Sequence, residues 1–239
     1  MNLVTDPLDS DVAYNRACAQ VCDRARQLFA PDVAVCATDP WDEADDLLPA
    51  EATCLPNAIP SRLREFAAGR RASHRAMHDL GQPIQAVLTG ADRAPIWPRE
   101  VTGSISHTKT ICLAALARSD AYLALGLDIE EDQDLPSDIR PEVCTQTELA
   151  WLSVQPQTMR GRLARLIFSA KECAFKCQYP ISKALFGFDM FEITPDLETG
   201  QFEATFTETV PGFPVRSCLS GRFAFESGLI ITGMRLAQR

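Results

Sequence analysis

Residues 168–176 read FSAKECAFK, and residues 66–74 read FAAGRRASH. When the two segments are aligned without gaps, one Phe and two Ala coincide, at the first, third and seventh positions. Each segment is later followed by a strand pattern that begins with glycine, GSISH at residues 103–107 and GRFAF at residues 221–225. A repeated order of helix and strand is typical of internal duplication. Three matches in nine positions also arise by chance, so coincidence remains the alternative.

The repeated order predicts a mixed α+β protein, a pseudo-dimer of two similar α/β subdomains. The break falls near residues 119–124, which gives an N-terminal subdomain at 1–120 and a C-terminal subdomain at 121–239. The halves would face each other across a cleft, and clefts between domains are common positions for ligand sites.

Hydrophobic periodicity predicts the individual elements. We expect helices at 12–29, 61–80, from 145 onward and at 160–178, and strands at 32–37, 103–117, 121–129 and within 200–236. Ser61 is a candidate N-cap and Gly81 a stop for the second of these helices. A turn at 118–120 is expected to join 103–117 and 121–129 as paired strands.

The helix that contains FSAKECAFK has two stripes of residues at helical spacing. One stripe is apolar and faces the core: Leu163, Leu166, Ile167, Ala170, Ala174 and Cys177. The other is polar: Arg165, Ser169, Glu172 and Lys176. On this evidence alone, a solvated Glu172–Lys176 pair worth a few tenths of a kcal/mol is the better interpretation.

The segment GLDIEED at residues 126–132 changes that interpretation. Alternation places Asp128 and Glu130 on one face of a strand, with Ile129 on the other face. Two neighbouring carboxylates repel each other unless a cation or a proton intervenes. With Glu172 as a third carboxylate, the set would suit Mg²⁺, which prefers oxygen ligands. The alternative is an acidic strand end that runs into an acidic loop.

GSISH places Ser104 and Ser106 on one strand face and His107 on the other. No hydrolase elbow of the G-x-S-x-G type is present, so a Ser–His–Asp hydrolase is not indicated. A lone histidine is more often structural. Beside the cations Arg70, Arg93, Lys171 and Lys176, however, His107 could donate to a phosphate. Cations beside acidic metal ligands suggest a phosphate-bearing substrate.

Composition excludes several classes of protein. The chain has 239 residues and a formal net charge of −9, which argues against nucleic-acid binding. Nine cysteines without a CxxC pair, and only three histidines, argue against a zinc site or a disulfide framework. No apolar run reaches the ~18 residues of a membrane helix, and the stretch at 1–11 is polar, unlike a signal peptide. We therefore expect a cytoplasmic protein without a transmembrane segment.

GSISH, GLDIE and FSAKECAFK, in this order, resemble the signature of the 4′-phosphopantetheinyl transferases, most closely the branch that serves siderophore and other peptide synthetases. The resemblance also includes EFAAGR at 65–70, RAPIWP at 93–98 and YPISKALFGF at 179–188. It implies a monomeric pseudo-dimer with its active site in the cleft. It also implies transfer of phosphopantetheine from coenzyme A to a serine of an apo acyl or peptidyl carrier protein, with release of adenosine 3′,5′-bisphosphate.

The resemblance assigns roles by motif position. The implied Mg²⁺ ligands are Asp128, Glu130 and Glu172, and Glu172 would also be the base for the carrier serine. Lys176 and Lys171 would balance the pyrophosphate charge. The implied contacts to coenzyme A are Ser106 and His107 at its phosphates and Arg64, Arg70 and Arg93 at its nucleotide end. The family usually has a second arginine where this chain has His74.

The sequence says less about where the carrier protein would dock. Carrier proteins are generally acidic, so a chain of net charge −9 would need a local patch to bind one. Arg160, Arg162 and the loop at 181–188 are the candidates, and a solvated helix start is an equal alternative for the two arginines. A module of the same fold that binds coenzyme A without catalysis is the alternative function.

Overall fold

The computed structural model describes the backbone of residues 7–238 and the side chains of residues 16–238. Residues 1–6 of the polar N-terminal stretch, and Arg239, lie outside the described residues. The helices are α1 (Pro7–Arg26), α2 (Pro49–Ala52), α3 (Pro60–Asp79), α4 (Arg140–Val143), α5 (Gln146–Ser153) and α6 (Arg160–Ser182). Short 3-10 helices cover Gln157–Met159 and Phe188–Met190. Within this part of the chain, no helix is both long and apolar enough to cross a membrane.

The strands are β1 (Ala34–Thr38), β2 (Leu88–Thr89), β3 (Pro95–Ile96), β4 (Val101–His107), β5 (Cys112–Arg118), β6 (Tyr122–Glu131), β7 (Phe191–Asp196), β8 (Gln201–Phe206), β9 (Cys218–Glu226) and β10 (Leu229–Ala237). They form an antiparallel three-stranded sheet, β1-β5-β4, and an antiparallel five-stranded sheet, β6-β10-β9-β8-β7. A small ribbon pairs β2 with β3. The predicted mixture of helix and sheet is confirmed.

The two larger sheets meet where β4 lies beside β6. No backbone ladder joins these two strands across their described residues. Serine hydroxyls of β4 bind the backbone of β6 instead, since the Leu127 amide donates to Ser104 Oγ over 3.0 Å and the Ile129 amide donates to Ser106 Oγ over 3.4 Å. We call this contact the serine seam. It brings the polar face of GSISH against the acidic strand.

Helix α6 covers the five-stranded sheet with the predicted apolar stripe. All six residues of that stripe are buried in one core cluster with the aromatic side chains of β7, β8 and β9. Gly126 of β6 allows the close approach, because a Cβ atom there would lie 2.2 Å from the Cys173 carbonyl oxygen. The helix continues through Pro180 and ends at Ser182. Its C-cap residue, Lys183, has a left-handed φ of 55°.

Several local predictions are wrong. Residues 103–117 are not one strand, because the chain reverses at 108–111 and makes the β4–β5 hairpin. The strand at 122–131 then pairs with β10 in the other sheet, so the turn at 118–120 connects the two sheets. Strand β7 was not predicted. Ile59 rather than Ser61 is the N-cap of α3, because Pro60 already occupies the first helical position.

Other local predictions are confirmed. Gly81 follows the end of α3 with a φ of +66°. Thr145 and Glu148 form the capping box, in which the Thr145 hydroxyl accepts from the Glu148 amide and the Glu148 carboxylate accepts from the Thr145 amide. These signals depend only on residues within one turn of each other, which explains why sequence alone revealed them.

Candidate active site

Asp128 of β6 lies at the centre of a polar cluster where β4, β6 and α6 converge. Its side chain is buried, and it is hydrogen-bonded through both oxygens. Oδ1 accepts from Lys176 Nζ over 2.6 Å and from Ser106 Oγ over 2.9 Å, and Oδ2 accepts from Ser169 Oγ over 2.8 Å. The structure therefore brings together residues from all three motifs: Ser106 from GSISH, Asp128 from GLDIE, and Ser169 and Lys176 from FSAKECAFK.

Lys176 extends from α6 to the serine seam. Besides its ion pair with Asp128, its ammonium group donates to Ser106 Oγ over 3.0 Å and to the Leu127 carbonyl over 3.2 Å. Burial alone would lower the pKa of Lys176, but the Asp128 and Glu172 carboxylates outweigh burial and raise it. Lys176 is therefore a fixed cation on a partly exposed side chain, and its three N–H donors are all used within the chain.

Glu130 lies two residues after Asp128 on the same strand and accepts a hydrogen bond from Arg165 Nη1 over 3.3 Å. Burial, followed by repulsion from Asp128, raises the pKa of Glu130 to about 7, although Arg165 and Lys176 oppose the rise. Alternation along β6 thus places the Glu130 carboxylate on the same face of the strand as Asp128, as the sequence predicted.

Glu172 is half-buried on the polar stripe of α6, one turn before Lys176. Burial raises the pKa of its carboxyl, repulsion from Asp128 adds to the rise, and Lys176 opposes it. A carboxylate with a raised pKa is better suited to accept a proton near neutral pH than an ordinary surface glutamate.

The three acidic side chains fit Mg²⁺ in their chemistry. Their donors are all oxygen atoms, and burial, followed by repulsion from Asp128, raises the pKa of both Glu130 and Glu172, so a bound cation would favour their charged forms. Across the described residues, however, no three acidic, His or Cys side chains lie close enough to form a complete ligand cluster. The predicted ligands are neighbours in the structure, and a closed metal site is not formed.

His107 follows the serine seam but points to α3. Its Nε2 lies 4.0 Å from Glu65 Oε2, and about a third of its side chain is exposed. It lines a cavity of about 310 Å³ between the two sheets. The cavity is lined by Glu65, His107, Thr108 and Lys109 from the N-terminal part of the chain and by Ile129, Glu130, Glu131, Gln133 and Arg165 from the C-terminal part.

The structure does not bring Lys171 to this cluster. Its side chain is only 1% exposed, and its ammonium group forms an ion pair of 2.8 Å with Glu148 of α5. It also donates to the Val143 and Phe188 carbonyls, each over 2.8 Å. Successive residues of a helix are about 100° apart, so Lys171 and Glu172 face different neighbours. The predicted pyrophosphate contact of Lys171 is therefore corrected to a buried structural contact.

Glu148 is the buried partner of Lys171, and the sequence alone did not predict this ion pair. Its two oxygens also accept from the Thr145 and Ile193 amides over 2.7 Å and 2.6 Å. Burial still raises the pKa of Glu148 above its ordinary value, although Lys171 and these hydrogen bonds oppose the rise. The capping-box pattern revealed Glu148 as a helix signal, but no local signal connected it to Lys171.

Arg70 is also turned away from the acidic cluster. Its Nε donates to the Val87 carbonyl over 2.7 Å, its Nη2 donates to Thr89 Oγ1 over 2.9 Å, and its guanidinium carbon lies 4.0 Å from the centre of the Phe66 ring. Burial lowers the pKa of Arg70 to about 10. The described contacts assign Arg70 to anchoring residues 87–89, and its contact with the nucleotide stays a prediction.

His74, which stands where the family usually has an arginine, binds a buried acid. Its Nε2 lies 2.9 Å from Glu51 Oε1, and the Val87 amide donates to the same oxygen over 2.8 Å. The Leu48 amide donates to Glu51 Oε2 over 3.0 Å. Glu51 was not predicted, because nothing in its own sequence surroundings marks it as buried.

The remaining arginines lie farther from Asp128. The guanidinium carbon of Arg64 is 5.5 Å from the centre of the Trp41 ring. Arg93 is exposed at the turn between β2 and β3, with a left-handed φ of 64°. The neighbouring Asp92 connects this turn to α6, because its carboxylate accepts from the Tyr179 hydroxyl over 2.7 Å.

The two arginines that were candidates for carrier docking bind within the chain. Arg162 forms two hydrogen bonds of 2.6 Å with the Asp132 carboxylate, and its guanidinium lies 3.9 Å from the centre of the Phe225 ring. Arg160 donates to the Ser153 and Gln155 carbonyls. The loop at 181–188 is different, because Leu185 is 74% exposed there.

Comparison with known proteins identifies the family of the chain. Residues 50–117 match the 4′-phosphopantetheinyl transferase N-terminal domain, and residues 124–227 match the 4′-phosphopantetheinyl transferase superfamily. The second match includes Asp128, Glu130, Glu172 and Lys176. The first match includes the predicted coenzyme A contacts Arg64, Arg70, Arg93, Ser106 and His107.

Three relatives illustrate the similarity. The chain is 34% identical to 4′-phosphopantetheinyl transferase Svp of Streptomyces mobaraensis, over 83% of this chain and 82% of that protein. It is 32% identical to 4′-phosphopantetheinyl transferase Npt of Nocardia iowensis, over 79% of this chain and 89% of that protein. It is 36% identical to enterobactin synthase component D of Escherichia coli, over 51% of this chain and 57% of that protein. The chain therefore belongs to the 4′-phosphopantetheinyl transferase family of enzymes.

Proposed function

We propose that the protein transfers the 4′-phosphopantetheine group of coenzyme A to a serine of an apo acyl or peptidyl carrier protein. The serine oxygen forms a bond to the phosphorus that carries pantetheine, and the bond from that phosphorus to adenosine 3′,5′-bisphosphate breaks. The observation that carries this proposal is the cluster of Asp128, Lys176 and Ser106 with Glu130 and Glu172 beside it.

Transfer at phosphorus is mostly a matter of positioning and charge. A bound Mg²⁺ would neutralise charge on the pyrophosphate, and Asp128, Glu130 and Glu172 are the residues that would hold it. Lys176, fixed by Asp128 and Ser106, supplies positive charge beside the phosphate oxygens. Glu172, with its raised pKa, accepts the proton of the carrier serine, directly or through water.

The cavity beside the cluster supports coenzyme A as the donor. It is lined by residues from both halves of the chain, with His107 and Lys109 on one side and Arg165 on the other. We further propose that the halves 1–120 and 121–239 act as a pseudo-dimer and that the protein functions as a monomer. One chain then supplies both walls of the cleft.

The exposed loop at 181–188 is the proposed docking surface for the carrier. Leu185 is 74% exposed and Ile181 is 36% exposed, and the loop follows the end of the helix that carries Glu172. Exposed aliphatic side chains suit the apolar patch of a carrier protein better than arginines that already bind within the chain. Since one relative is named enterobactin synthase component D, a carrier of a siderophore synthetase is one proposed substrate.

The test is an incubation with coenzyme A, Mg²⁺ and a panel of apo carriers, followed by intact-protein mass spectrometry. A carrier that gains one phosphopantetheine supports the proposal, and a complete absence of gain across the panel overturns it. We expect Asp128→Asn to lose at least 100-fold in kcat/KM, in the range for removal of a charge-stabilising group. Binding of coenzyme A without turnover by the wild-type protein would favour the non-catalytic module.

A further inference from the structure

Trp41 is held in a fixed orientation at the protein surface. It is 64% exposed, yet its indole Nε1 donates to the Lys109 carbonyl over 2.7 Å and its backbone amide donates to Asp39 Oδ1 over 2.7 Å. The guanidinium of Arg64 lies 5.5 Å from the ring centre. Large aromatic side chains usually bury their rings in the core. A ring that is fixed but exposed is therefore available to a ligand.

The indole is hydrogen-bonded to a residue that lines the cavity between the two sheets. Lys109, whose carbonyl accepts from the indole, lines that cavity, and so does Glu65, the neighbour of Arg64 in α3. The cation described at the ring is thus Arg64, and Lys109 contributes its backbone carbonyl. A ligand that enters here meets an aromatic face beside positive charge.

The loop that carries Trp41 is anchored rather than free. Arg71 of α3 binds Asp46 over 2.5 Å and Asp42 over 3.1 Å, and its Nη2 donates to the Glu43 carbonyl. These contacts offset part of the acidic charge of the loop, which would otherwise repel an anionic ligand. They also fix the loop to the same helix that carries Arg64.

We propose that Trp41 stacks on the purine base of coenzyme A and thereby selects the nucleotide end of the substrate. A planar base with attached phosphates matches an exposed indole beside the Arg64 guanidinium, because base–aromatic stacking needs only two π faces. This assignment rests on the proposed transferase function for the identity of the ligand. Docking of a protein partner through an exposed tryptophan is the other outcome that the experiment distinguishes.

The test compares Trp41→Leu, which removes the aromatic face, with Trp41→Phe, which keeps one. The control is Ile59→Ala, since Ile59 is 67% exposed in the same half of the chain. Affinities are measured by calorimetry for adenosine 3′,5′-bisphosphate, which has the base, and for 4′-phosphopantetheine, which lacks it. Transfer assays give KM for coenzyme A and for the carrier separately.

For Trp41→Leu we expect a rise of about 10-fold in KM for coenzyme A and in Kd for adenosine 3′,5′-bisphosphate, at the lower end of base–aromatic stacking. Trp41→Phe should lose less than about 3-fold, Ile59→Ala should match wild type, and all variants should bind 4′-phosphopantetheine alike. Unchanged nucleotide affinity in Trp41→Leu overturns the proposal, as does a rise confined to KM for the carrier. Trp41-dependent nucleotide binding without any transfer supports the stacking role and overturns the transferase function instead.

Discussion

At the scale of single residues, burial and charge pairing distinguish the two lysines of FSAKECAFK. Lys176 is partly exposed and binds the central acid Asp128, whereas Lys171 is 1% exposed and binds Glu148. The two residues are five positions apart on one helix, yet only one of them faces the cluster. Equal charge in a motif therefore does not imply equal function.

Lys171→Met should destabilise the protein by about 3–5 kcal/mol, because it leaves the buried Glu148 carboxylate without its partner. The double variant Lys171→Met/Glu148→Gln should recover part of this loss, since the remaining group is neutral. Urea denaturation at pH 7 measures both values. A Lys171→Met protein that is as stable as wild type but no longer binds coenzyme A would restore the phosphate role.

The buried Glu51 carboxylate should contribute to the free energy of unfolding in a way that is lost in acid. Burial alone would raise its pKa, but hydrogen bonds from His74, Val87 and Leu48 outweigh burial and lower it. A lowered pKa in the folded state stabilises the protein above the ordinary pKa of glutamate, and this stabilisation is lost as the pH falls through the folded value. Wild type should therefore lose stability between about pH 5 and pH 3.

The matched variant for this effect is Glu51→Gln. It should cost about 1–3 kcal/mol at neutral pH, because a neutral amide satisfies the buried donors less well than a carboxylate. Its stability should then change less than that of wild type as the pH falls. Parallel urea titrations from pH 7 to pH 3 measure the difference, and two curves of equal slope would contradict the assignment.

At the scale of elements, the approach of α6 to β6 sets the geometry of the cluster. Gly126→Ala would place a Cβ atom 2.2 Å from the Cys173 carbonyl oxygen, so helix and strand would have to separate. We expect a loss of about 1–3 kcal/mol in stability and a fall in kcat/KM, because Lys176 and Asp128 lie on the two displaced elements.

The control for this variant is Gly228→Ala, at the β9–β10 turn, where no heavy atom lies within 4 Å of the added Cβ. Gly228 has a φ of +75°, so its substitution strains the backbone without moving α6. Gly126→Ala should therefore reduce transfer more strongly than Gly228→Ala at comparable stability. Equal activity in the two variants would show that the helix position is not critical.

The elements also show how far sequence patterns reach. The apolar stripe of α6 and the alternation of Asp128 and Glu130 are properties of single elements, and periodicity predicted both. Strands β4 and β6 belong to different sheets. Which strands pair depends on contacts between distant segments, and hydrophobic periodicity does not encode these contacts. Strand β7 was missed for the same reason. The contacts of Arg70 and Lys171 within the chain were not predicted, because their partners come from other segments.

At the scale of the whole molecule, a ligand that contacts both halves should stabilise them together. A ligand at 100 times its Kd adds about 2.7 kcal/mol, which corresponds to about 5–11 °C in Tm for a protein of this size, at roughly 2–4 °C per kcal/mol. We expect coenzyme A with Mg²⁺ to raise the Tm of wild type by this amount, and removal of Mg²⁺ by EDTA to reverse most of the rise. Scanning fluorimetry measures it.

Glu130→Gln is the variant that isolates the metal contribution in this measurement. It removes one proposed Mg²⁺ ligand and leaves the Asp128–Lys176 ion pair in place. The increase in Tm produced by Mg²⁺ should shrink, whereas the increase produced by coenzyme A alone should persist. An unchanged response to Mg²⁺ would remove Glu130 from the ligand set.

The serine seam has a consequence for assembly. Strand β4 is at one edge of its sheet and β6 is at one edge of the other, and the seam sets these two edges against each other. Unpaired strand edges are templates for aggregation. Each half therefore covers the edge strand of the other half. Separating the halves would expose two unpaired strand edges and would also divide the candidate active site. A substitution that opens this contact should therefore lower the solubility of the protein and disturb the candidate active site together.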